Sequence, residues 1–186
     1  MVYYSTMISH DSVCRKAVVL AAGLGTRLRP LTCAVPKPLL PVWGVPMLER
    51  VVETLASWGV EEIRVNAHYL AEQVVAWAKD WNSAGRPRVE VSVEEEILGT
   101  GGVLNPLRDW IGTDDFYLVN GDIVFDGFAG FGAVAPVSLA GADAIGVALL
   151  TEEGPRTVER EPESGLVTNW KSDDAGFPGT YTYCGI

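Results

Sequence analysis

Cysteine and histidine are scarce in this sequence. Its 186 residues include three cysteines, Cys14, Cys33 and Cys184, and two histidines, His10 and His68, and no cysteines form a CxxC pair. A structural zinc site needs four Cys or His ligands at characteristic spacings, so none is expected. The odd number of cysteines leaves at least one unpaired, which favours a reducing, cytoplasmic compartment.

Long apolar runs are also lacking. The first sixteen residues are polar and mixed, without the apolar run of a signal peptide, and the apolar run over residues 17–25 is far too short to span a bilayer. We therefore expect a soluble protein that has no membrane partner. Residues 1–14 are interpreted as a flexible leader.

Positive charge is the third shortage. Lys and Arg total 14 against 24 Asp and Glu, which gives a formal net charge of -10. This balance argues against a nucleic-acid-binding surface, because such surfaces are normally basic. It does not exclude an anionic small-molecule substrate, since a phosphate pocket needs only a few cations and backbone N–H groups.

Apolar runs that suit buried strands alternate with segments of helical period. Strands are predicted over residues 17–22, 62–67, 88–94 and 116–119, and helices over residues 46–58, 71–81 and 101–111. Further strands are predicted at 144–150, at Val158, at 165–170 and at 181–186, around a charged hairpin at 159–164. This alternation predicts an α/β fold, a three-layer α/β/α sandwich with a mixed, mostly parallel sheet.

Residues 15–186 are expected to form one domain, because the sequence contains no internal repeat and no low-complexity linker. The sequence stops at Ile186 within the apolar run TYTYCGI, without a cap or a polar tail. We therefore expect this domain to lack its C-terminal part.

A glycine-rich bend follows the first predicted strand. The segment reads GLGTR over residues 23–27, and Arg29 and Lys37 follow it. Glycines at such a bend let the backbone turn sharply, so that its N–H groups can point at phosphate oxygens. The third glycine of a dinucleotide fingerprint is absent, with Leu28 at the place after Arg27, and so is the GxxxxGK[ST] spacing of a P-loop. Taken alone, the bend could also be an ordinary turn.

The longer stretch LAAGLGTRLRPLT, followed by PKPLLPV, resembles the two-part signature of the sugar-1-phosphate nucleotidyltransferases. Residues 17–186 follow the order of elements in that family. The resemblance implies a Rossmann-like nucleotidyltransferase fold that takes an NTP and a sugar 1-phosphate, with Mg²⁺ as cofactor. It implies transfer of a nucleotidyl group to the sugar phosphate and release of pyrophosphate.

The same resemblance implies roles for individual residues of the bend. Arg27 and Lys37 correspond to catalytic cations beside the triphosphate, although either could be solvated surface charge. The residues implied to hold the nucleotide at the bend are Leu20, Ala21, Ala22, Gly23, Gly25, Thr26 and Arg27.

The stretch EILGTGG, residues 96–102, resembles the family segment that closes over the base and the ribose. Glu96, Gly101 and Gly102 are therefore implied nucleotide contacts, and so is Asn66 at the end of the second strand. The two glycines could instead only start a helix. His68 could equally be a partly buried ring bonded to backbone.

Asn120, Gly121 and Asp122 end a predicted strand, and ligands of open α/β sheets gather at the carboxyl ends of strands. Asp122 resembles the family's magnesium-binding aspartate and is implied to be catalytic, with Asn120 and Gly121 beside the nucleotide. An aspartate after a strand could also only form a turn.

The sugar side is less well matched. Lys171 and Gly185 fall near the family's sugar-phosphate-binding residues, but Trp170-Lys171-Ser172 departs from the E-K-P pattern, and a surface lysine is an equal alternative. The family's second metal-binding aspartate has no counterpart before Ile186. If the chain ends there in solution, we expect nucleotide binding without efficient turnover.

Two rival functions remain open. A catalytically incomplete nucleotidyltransferase-like domain could bind nucleotide in a regulatory role. A nicotinamide-dependent oxidoreductase would depend only on Gly23 and Gly25. The sequence does not identify the base, the sugar or the oligomeric state; guanylyl and uridylyl transfer to mannose, heptose or N-acetylmuramate phosphates all fit.

Overall fold

The structure is a computed structural model that describes residues 14–123, 150–151, 158–161, 163, 167–170 and 182–183. These residues belong to two compact units, one holding residues 14–123 and the other holding those from residue 150 onward. The predicted leader up to residue 13, the strand over 144–149, and Lys171 and Gly185 lie outside the described residues.

The first unit alternates strands and helices. Its strands are β1 (Lys16–Leu20), β2 (Pro41–Val42), β3 (Val45–Pro46), β4 (Glu62–Ala67), β5 (Arg88–Val93) and β6 (Phe116–Asn120), and its helices are α1 (Met47–Ser57), α2 (Ala71–Ser83), α3 (Gly99–Gly102) and α4 (Arg108–Ile111). Three 3-10 turns, Thr26–Leu28, Leu31–Cys33 and Lys37–Leu39, shape the long segment between β1 and β2.

The central sheet of this unit has the order β5-β4-β1-β6, and its neighbouring strands are parallel. Leu20 is aligned with Asn66 on one side and with Asn120 on the other. The prediction of an α/β fold with a mostly parallel sheet is therefore confirmed. The alignment also brings the carboxyl ends of β4, β1 and β6 to one edge.

Both faces of the sheet are covered. Val18 packs against Val103 and Leu107 from the β5–β6 connection. Side chains alternate between faces along a strand, so Tyr117, which is aligned with Ala17, lies on the opposite face from Val18. There its ring contacts Trp58 at the end of α1, with ring centroids 5.4 Å apart. Right-handed crossovers predict this division of the helices between the two faces.

The helix α1 supplies much of the core. Its buried residues Leu48, Val51, Val52 and Leu55 recur at helical spacing along one face. Each fully buried side chain of this size contributes about 1.5–3 kcal/mol relative to an exposed one. The amphipathic period of the sequence is therefore the main reason that this segment is a helix.

Two predicted elements differ from the structure. The predicted helix over 101–111 is two short helices, because Pro106 lies between α3 and α4, has no N–H to donate, and disfavours a helical residue before it. The strand predicted over 17–22 ends at Leu20. The next amide, that of Ala21, donates to the side chain of Asn66 rather than to a neighbouring strand.

In the second unit, β7 (Leu150–Thr151) pairs with β10 (Thr182–Tyr183), and β8 (Val158–Arg160) pairs with β9 (Val167–Trp170). Both pairs are antiparallel, so the charged segment predicted as a hairpin does connect two paired strands. Within the described parts of both units, no helix is long and apolar enough to span a membrane.

Candidate functional site

A cavity lies at the carboxyl edge of the central sheet. The chain leaves β1 toward β4 on one side, while β6 pairs with β1 on the other, and open α/β sheets bind ligands at such a reversal of strand order. The cavity has a volume of about 290 Å³. Its lining comes from the carboxyl ends of β1, β4 and β6 and from the segments that follow β1, β5 and β6: Leu20, Ala21, Ala22, Gly23, Lys37, Pro38, Asn66, Ile97, Gly99, Thr100, Asn120 and Asp122.

The bend after β1 contains two glycines with different surroundings. A Cβ at Gly23 would meet no atom within 4 Å, so its backbone faces open space at the cavity. Gly25 has φ +61°, and a Cβ there would lie 2.9 Å from Thr32 Cγ2 and 3.1 Å from Lys37 Cβ. Gly25 is therefore needed for packing, because it lets the segment that carries Lys37 lie against the bend.

The segment that carries Lys37 is tied down on both sides. The Thr32 hydroxyl, with the residue only 1% exposed, donates to the carbonyl of Gly25 at 2.9 Å. The Gln73 side-chain amide of α2 donates to the carbonyl of Ala34, also at 2.9 Å. These hydrogen bonds hold the lysine-bearing segment between the bend and α2.

Gly121 allows β6 to end close against β1. A Cβ at this position would lie 3.0 Å from the carbonyl oxygen of Leu20 and 3.1 Å from Val19 Cγ1. The Gly121 N–H donates to that same carbonyl at 2.9 Å. A larger residue would push the two strand ends apart, so this glycine sets the distance between Asp122 and the bend.

Lys37 and Asp122 form an ion pair across the cavity, with Nζ in direct contact with Oδ2. Their side chains are 30% and 31% exposed, so water screens the pair and its contribution to stability is small. The pair places a cation and a carboxylate next to each other at the cavity wall.

A chain of buried polar groups lies behind the cavity. Asn66, which is 4% exposed, accepts from the Ala21 N–H at 2.7 Å and donates to Glu94 Oε1 at 2.8 Å. The other oxygen of Glu94 accepts from the Leu98 N–H at 3.1 Å. His68 Nδ1 lies 2.9 Å from the Glu94 carbonyl, so the ring bonds to backbone when that nitrogen carries the proton.

The structure separates the predicted site residues into two groups. Those that line the cavity are Leu20, Ala21, Ala22, Gly23, Lys37, Asn66, Asn120 and Asp122; those that do not are Gly25, Thr26, Arg27, Glu96, Gly101, Gly102 and Gly121. Arg27 is exposed on its 3-10 turn and forms no ion pair with any residue that the structure describes.

Sequence reasoning missed four lining residues and the buried carboxylate. Pro38, Ile97, Gly99 and Thr100 line the cavity, and each lies inside a motif whose other members were predicted. Glu94 is 7% exposed and was not predicted. The only signal for Glu94 in the sequence is its position: the predicted strand over 88–94, in which apolar and polar residues alternate, ends at this residue.

Comparison with known proteins gives one family. Residues 16–157 match the family model described as Nucleotidyl transferase. The mannose-1-phosphate guanyltransferase of Aspergillus fumigatus is 42% identical over 113 residues, which are 60% of this chain and 31% of that protein. The chain thus spans about a third of the length of the Aspergillus mannose-1-phosphate guanyltransferases that it matches.

Two solved structures extend the comparison. HddC from Yersinia pseudotuberculosis, complexed with GMP-PN, is 26% identical with a TM-score of 0.59, and the match covers 79% of this chain and 64% of that one. A UDP-glucose pyrophosphorylase complexed with UDP-glucose is 18% identical with a TM-score of 0.70, covering 92% and 74%. At 18% identity, the second match shows the shared fold alone.

Proposed function

This chain belongs to the nucleotidyl transferase family, and on that premise we propose that it transfers a nucleotidyl group from an NTP to a sugar 1-phosphate and releases pyrophosphate. The observation that carries the proposal is the cavity at the reversal of strand order, which is lined both by the open backbone of Gly23 and by the pair of Lys37 and Asp122. The relative named as a mannose-1-phosphate guanyltransferase supports this reaction class.

The triphosphate is proposed to lie along the bend after β1. The space in front of Gly23 admits phosphate oxygens to within hydrogen-bond distance of backbone N–H groups, which a side chain there would prevent. Lys37 lies at the same wall and can neutralise negative charge that grows on the departing pyrophosphate. Arg27, exposed and free of ion pairs within the described part of the chain, is proposed to reach the triphosphate from outside the cavity.

The base and ribose are proposed to lie toward Ile97, Gly99 and Thr100. These residues form one wall of the cavity, and the small glycine lets a flat ring approach the backbone. Glu96, Gly101 and Gly102 belong to the same segment but lie outside the lining, so they are proposed to contact the nucleotide, like Arg27, from outside the cavity.

The reaction needs no covalent intermediate with the protein. An oxygen of the sugar phosphate attacks the α-phosphorus of the NTP in line, the bond from that phosphorus to the pyrophosphate oxygen breaks, and pyrophosphate leaves. Positioning and charge stabilisation supply most of the catalysis in such transfers. The protein therefore contributes a bend that fixes the phosphates, a lysine at the leaving group and a wall that orients the nucleoside.

A divalent cation, proposed to be Mg²⁺, fits Asp122. Its carboxylate and the side chain of Asn120 line the same cavity, and Mg²⁺ prefers oxygen ligands, usually one or two carboxylates plus substrate phosphates and water. Among the described residues no three His, Cys, Asp or Glu side chains form a metal cluster, which suits an ion that arrives with the triphosphate. When bound at Asp122, it would supply positive charge that offsets the negative charge of the phosphates.

GTP and mannose 1-phosphate are proposed as the first substrates to test. They follow from the name of the A. fumigatus relative, and the Y. pseudotuberculosis structure contains GMP-PN. The compartment is proposed to be cytoplasmic, since Cys14 and Cys33 are free thiols and Cys33 is exposed.

The test has two stages. Thermal unfolding is first measured with ATP, GTP, CTP, UTP or dTTP and Mg²⁺, because a ligand at 100 times its Kd stabilises by about 2.7 kcal/mol. Pyrophosphate release is then measured with the NTP that stabilises most, together with mannose 1-phosphate and other sugar phosphates. If no NTP raises Tm, the proposal is wrong. Binding without pyrophosphate release would favour the regulatory alternative.

A further inference from the structure

The segment that carries Lys37 cannot satisfy two of its own carbonyl groups in the usual way. Within a helical turn, a carbonyl accepts from the N–H three or four residues later. For Cys33 the residue three positions later is Pro36, and for Ala34 the residue four positions later is Pro38. Proline has no N–H to donate, so donors from another part of the fold, or water, must take their place.

Two side chains from the corner between β4 and α2 supply such donors. The side-chain amide of Gln73, in the first turn of α2, donates to the Ala34 carbonyl at 2.9 Å, and the Tyr69 hydroxyl lies 3.4 Å from the Cys33 carbonyl. The Gln73 bond has an ordinary length, whereas 3.4 Å is long for a hydroxyl donor, so Gln73 makes the main tie. A carbonyl can only accept, so residue 73 must present a donor here.

The backbone of this corner is strained. Leu70, the residue before α2, has φ +50° and ψ +40°, a left-handed conformation that bulky residues rarely adopt. Its side chain also provides no capping hydrogen bond, which Ser, Thr, Asn or Asp would provide at the start of a helix. Local preference therefore does not explain how α2 begins. Such strain persists where surrounding contacts impose it, and on both sides of Leu70 the contacts, those of Tyr69 and Gln73, are with one segment.

We propose that Gln73 is a positioning residue for Lys37: its bond to the Ala34 carbonyl, three residues before the lysine, keeps the ammonium group at the cavity wall beside Asp122. Gln73 does not line the cavity, so it acts through Lys37 rather than on the substrate. The role of Lys37 at the leaving group rests on the proposed function. The bond between Gln73 and Ala34 does not depend on that function.

Two ties fix this segment better than one. The Thr32 hydroxyl ties the start of the segment to the Gly25 carbonyl in the bend, and Gln73 ties it to α2 two residues further on. With the first tie alone the segment could turn about it, and Lys37 would follow. A lysine stabilises the charge that grows in a transition state best when its ammonium group is already in place. Loss of the second tie should therefore slow the chemical step more than it weakens nucleotide binding.

Gln73→Met removes the donor and keeps the length, the neutral charge and the helix propensity of the side chain. In the free protein, the amides of Cys33 and Leu39 bond to the carbonyls of Pro30 and Pro36. Their exchange rates should rise about fivefold, which is the equilibrium effect of one typical net hydrogen bond. With NTP and sugar phosphate, kcat should fall about fivefold while KM for the NTP stays within about twofold, as expected for an interaction made in the transition state.

Gln73→Lys tests whether the donor is what matters, since a lysine at this position again presents N–H groups to the Ala34 carbonyl. Amide exchange and kcat should return to within about twofold of the wild type. Glu72→Gln is the matched control for charge, because it also raises the net charge by one, on the exposed neighbouring side chain. It should change neither measurement by more than about twofold.

A double-mutant cycle with Lys37→Met shows whether Gln73 acts through the lysine. In the Lys37→Met protein, the added Gln73→Met should still speed amide exchange. It should change kcat by less than about twofold, because the group that Gln73 positions is gone. A merely structural role would lower kcat by the same factor in both backgrounds, and that result would overturn the proposal.

Two other results also overturn it: wild-type exchange and kcat in Gln73→Met, or a Gln73→Lys protein that is no better than Gln73→Met. If Gln73→Met does not fold, a folded Gln73→Lys protein with wild-type exchange supports the proposal, and an unfolded one overturns it.

Failure of the proposed function is recognised separately. If the wild type releases pyrophosphate with none of the five NTPs and the sugar phosphates, the activity proposed above is wrong. The exchange rates of the Cys33 and Leu39 amides in the wild type, in Gln73→Met and in Gln73→Lys still decide whether Gln73 fixes the segment that carries Lys37.

Discussion

Replacing Gly121 with alanine should destabilise the protein, whereas the same change at Gly23 should not. Neither glycine has a positive φ, so an alanine is allowed by the backbone at both. The difference is in the surroundings: a Cβ at Gly121 would lie 3.0 Å from the carbonyl oxygen of Leu20 and 3.1 Å from Val19 Cγ1, and a Cβ at Gly23 would meet nothing within 4 Å.

The magnitudes follow from these contacts. Two strands of a hydrogen-bonded sheet must move apart by a few tenths of an ångström to admit a methyl group at Gly121. Overpacking of this kind costs about 1–3 kcal/mol. For a chain of this length, a loss of about 2 kcal/mol lowers Tm by roughly 4–8 °C. At Gly23 the lower entropy of the unfolded chain should leave the free energy of unfolding unchanged or raise it by at most about 1 kcal/mol.

For NTP affinity the order of the two variants should be reversed: Gly23→Ala should weaken binding more than Gly121→Ala does, although it is the more stable of the two. The methyl group of Gly23→Ala occupies the space in which the triphosphate is proposed to lie, so NTP affinity should fall although the fold is intact. The assay is thermal unfolding followed by circular dichroism, with and without the NTP and Mg²⁺. A Gly121→Ala variant as stable as the wild type would refute the packing argument. A Gly23→Ala variant with full NTP-induced stabilisation would refute the placement of the phosphates.

Three further predictions follow from the site and the core. Arg27→Ala should lower kcat by about 10²–10³-fold with Tm unchanged, because it removes an exposed cation that is proposed to stabilise the triphosphate; a loss below about threefold in steady-state pyrophosphate release would contradict its role. Asp122→Asn should abolish metal-dependent activity with the circular dichroism spectrum intact, because its pair with Lys37 is partly exposed; an unfolded variant would mean that Asp122 is structural. Burial raises the pKa of Tyr117 to about 12 and also raises the pKa of Cys14, so the unfolded chain ionises first, and the free energy of unfolding should fall as the pH rises from about 9 through 12. Urea unfolding at pH 8 and pH 11 measures this loss, which should be smaller in Tyr117→Phe; equal losses in both proteins would rule out Tyr117 as the cause.

Segments whose structure is set by their own pattern could be predicted from the sequence. The bounds of β4 are those predicted, because polar and apolar residue types alternate along EIRVNA. The helix α2 begins at the predicted residue, Ala71, because Val74 and Ala78 recur at helical spacing and are buried. The local pattern did not predict where β1 ends. The strand ends before Ala21 because the Ala21 amide donates to the side chain of Asn66, which is 45 residues away along the chain.

Residues of the site could be predicted from the sequence only where they belong to a recognisable motif. Eight of the predicted residues line the cavity, and they come from the glycine bend, from the PKP segment and from the ends of β4 and β6. Glu94 stands in an acidic run with Glu95 and Glu96, and only its place at the end of the predicted strand over 88–94 distinguishes it from the other two. The fold separates them further, because it buries the first and leaves the other two exposed.

The precision of the site comes from the register of the sheet more than from its loops. Leu20, Asn66 and Asn120 are aligned across three neighbouring parallel strands, which lie about 4.8 Å apart in the hydrogen-bonding direction. A shift of either pairing by one residue would turn the aligned asparagine to the other face of the sheet. The cavity residues that follow these strands are therefore placed by backbone hydrogen bonds. The loops add the short steps to Gly23 and to Asp122, and they also carry Lys37 and the wall at residues 97–100. A one-residue insertion within β6 should therefore abolish NTP binding, because it would move Asp122 out of register with the bend after β1.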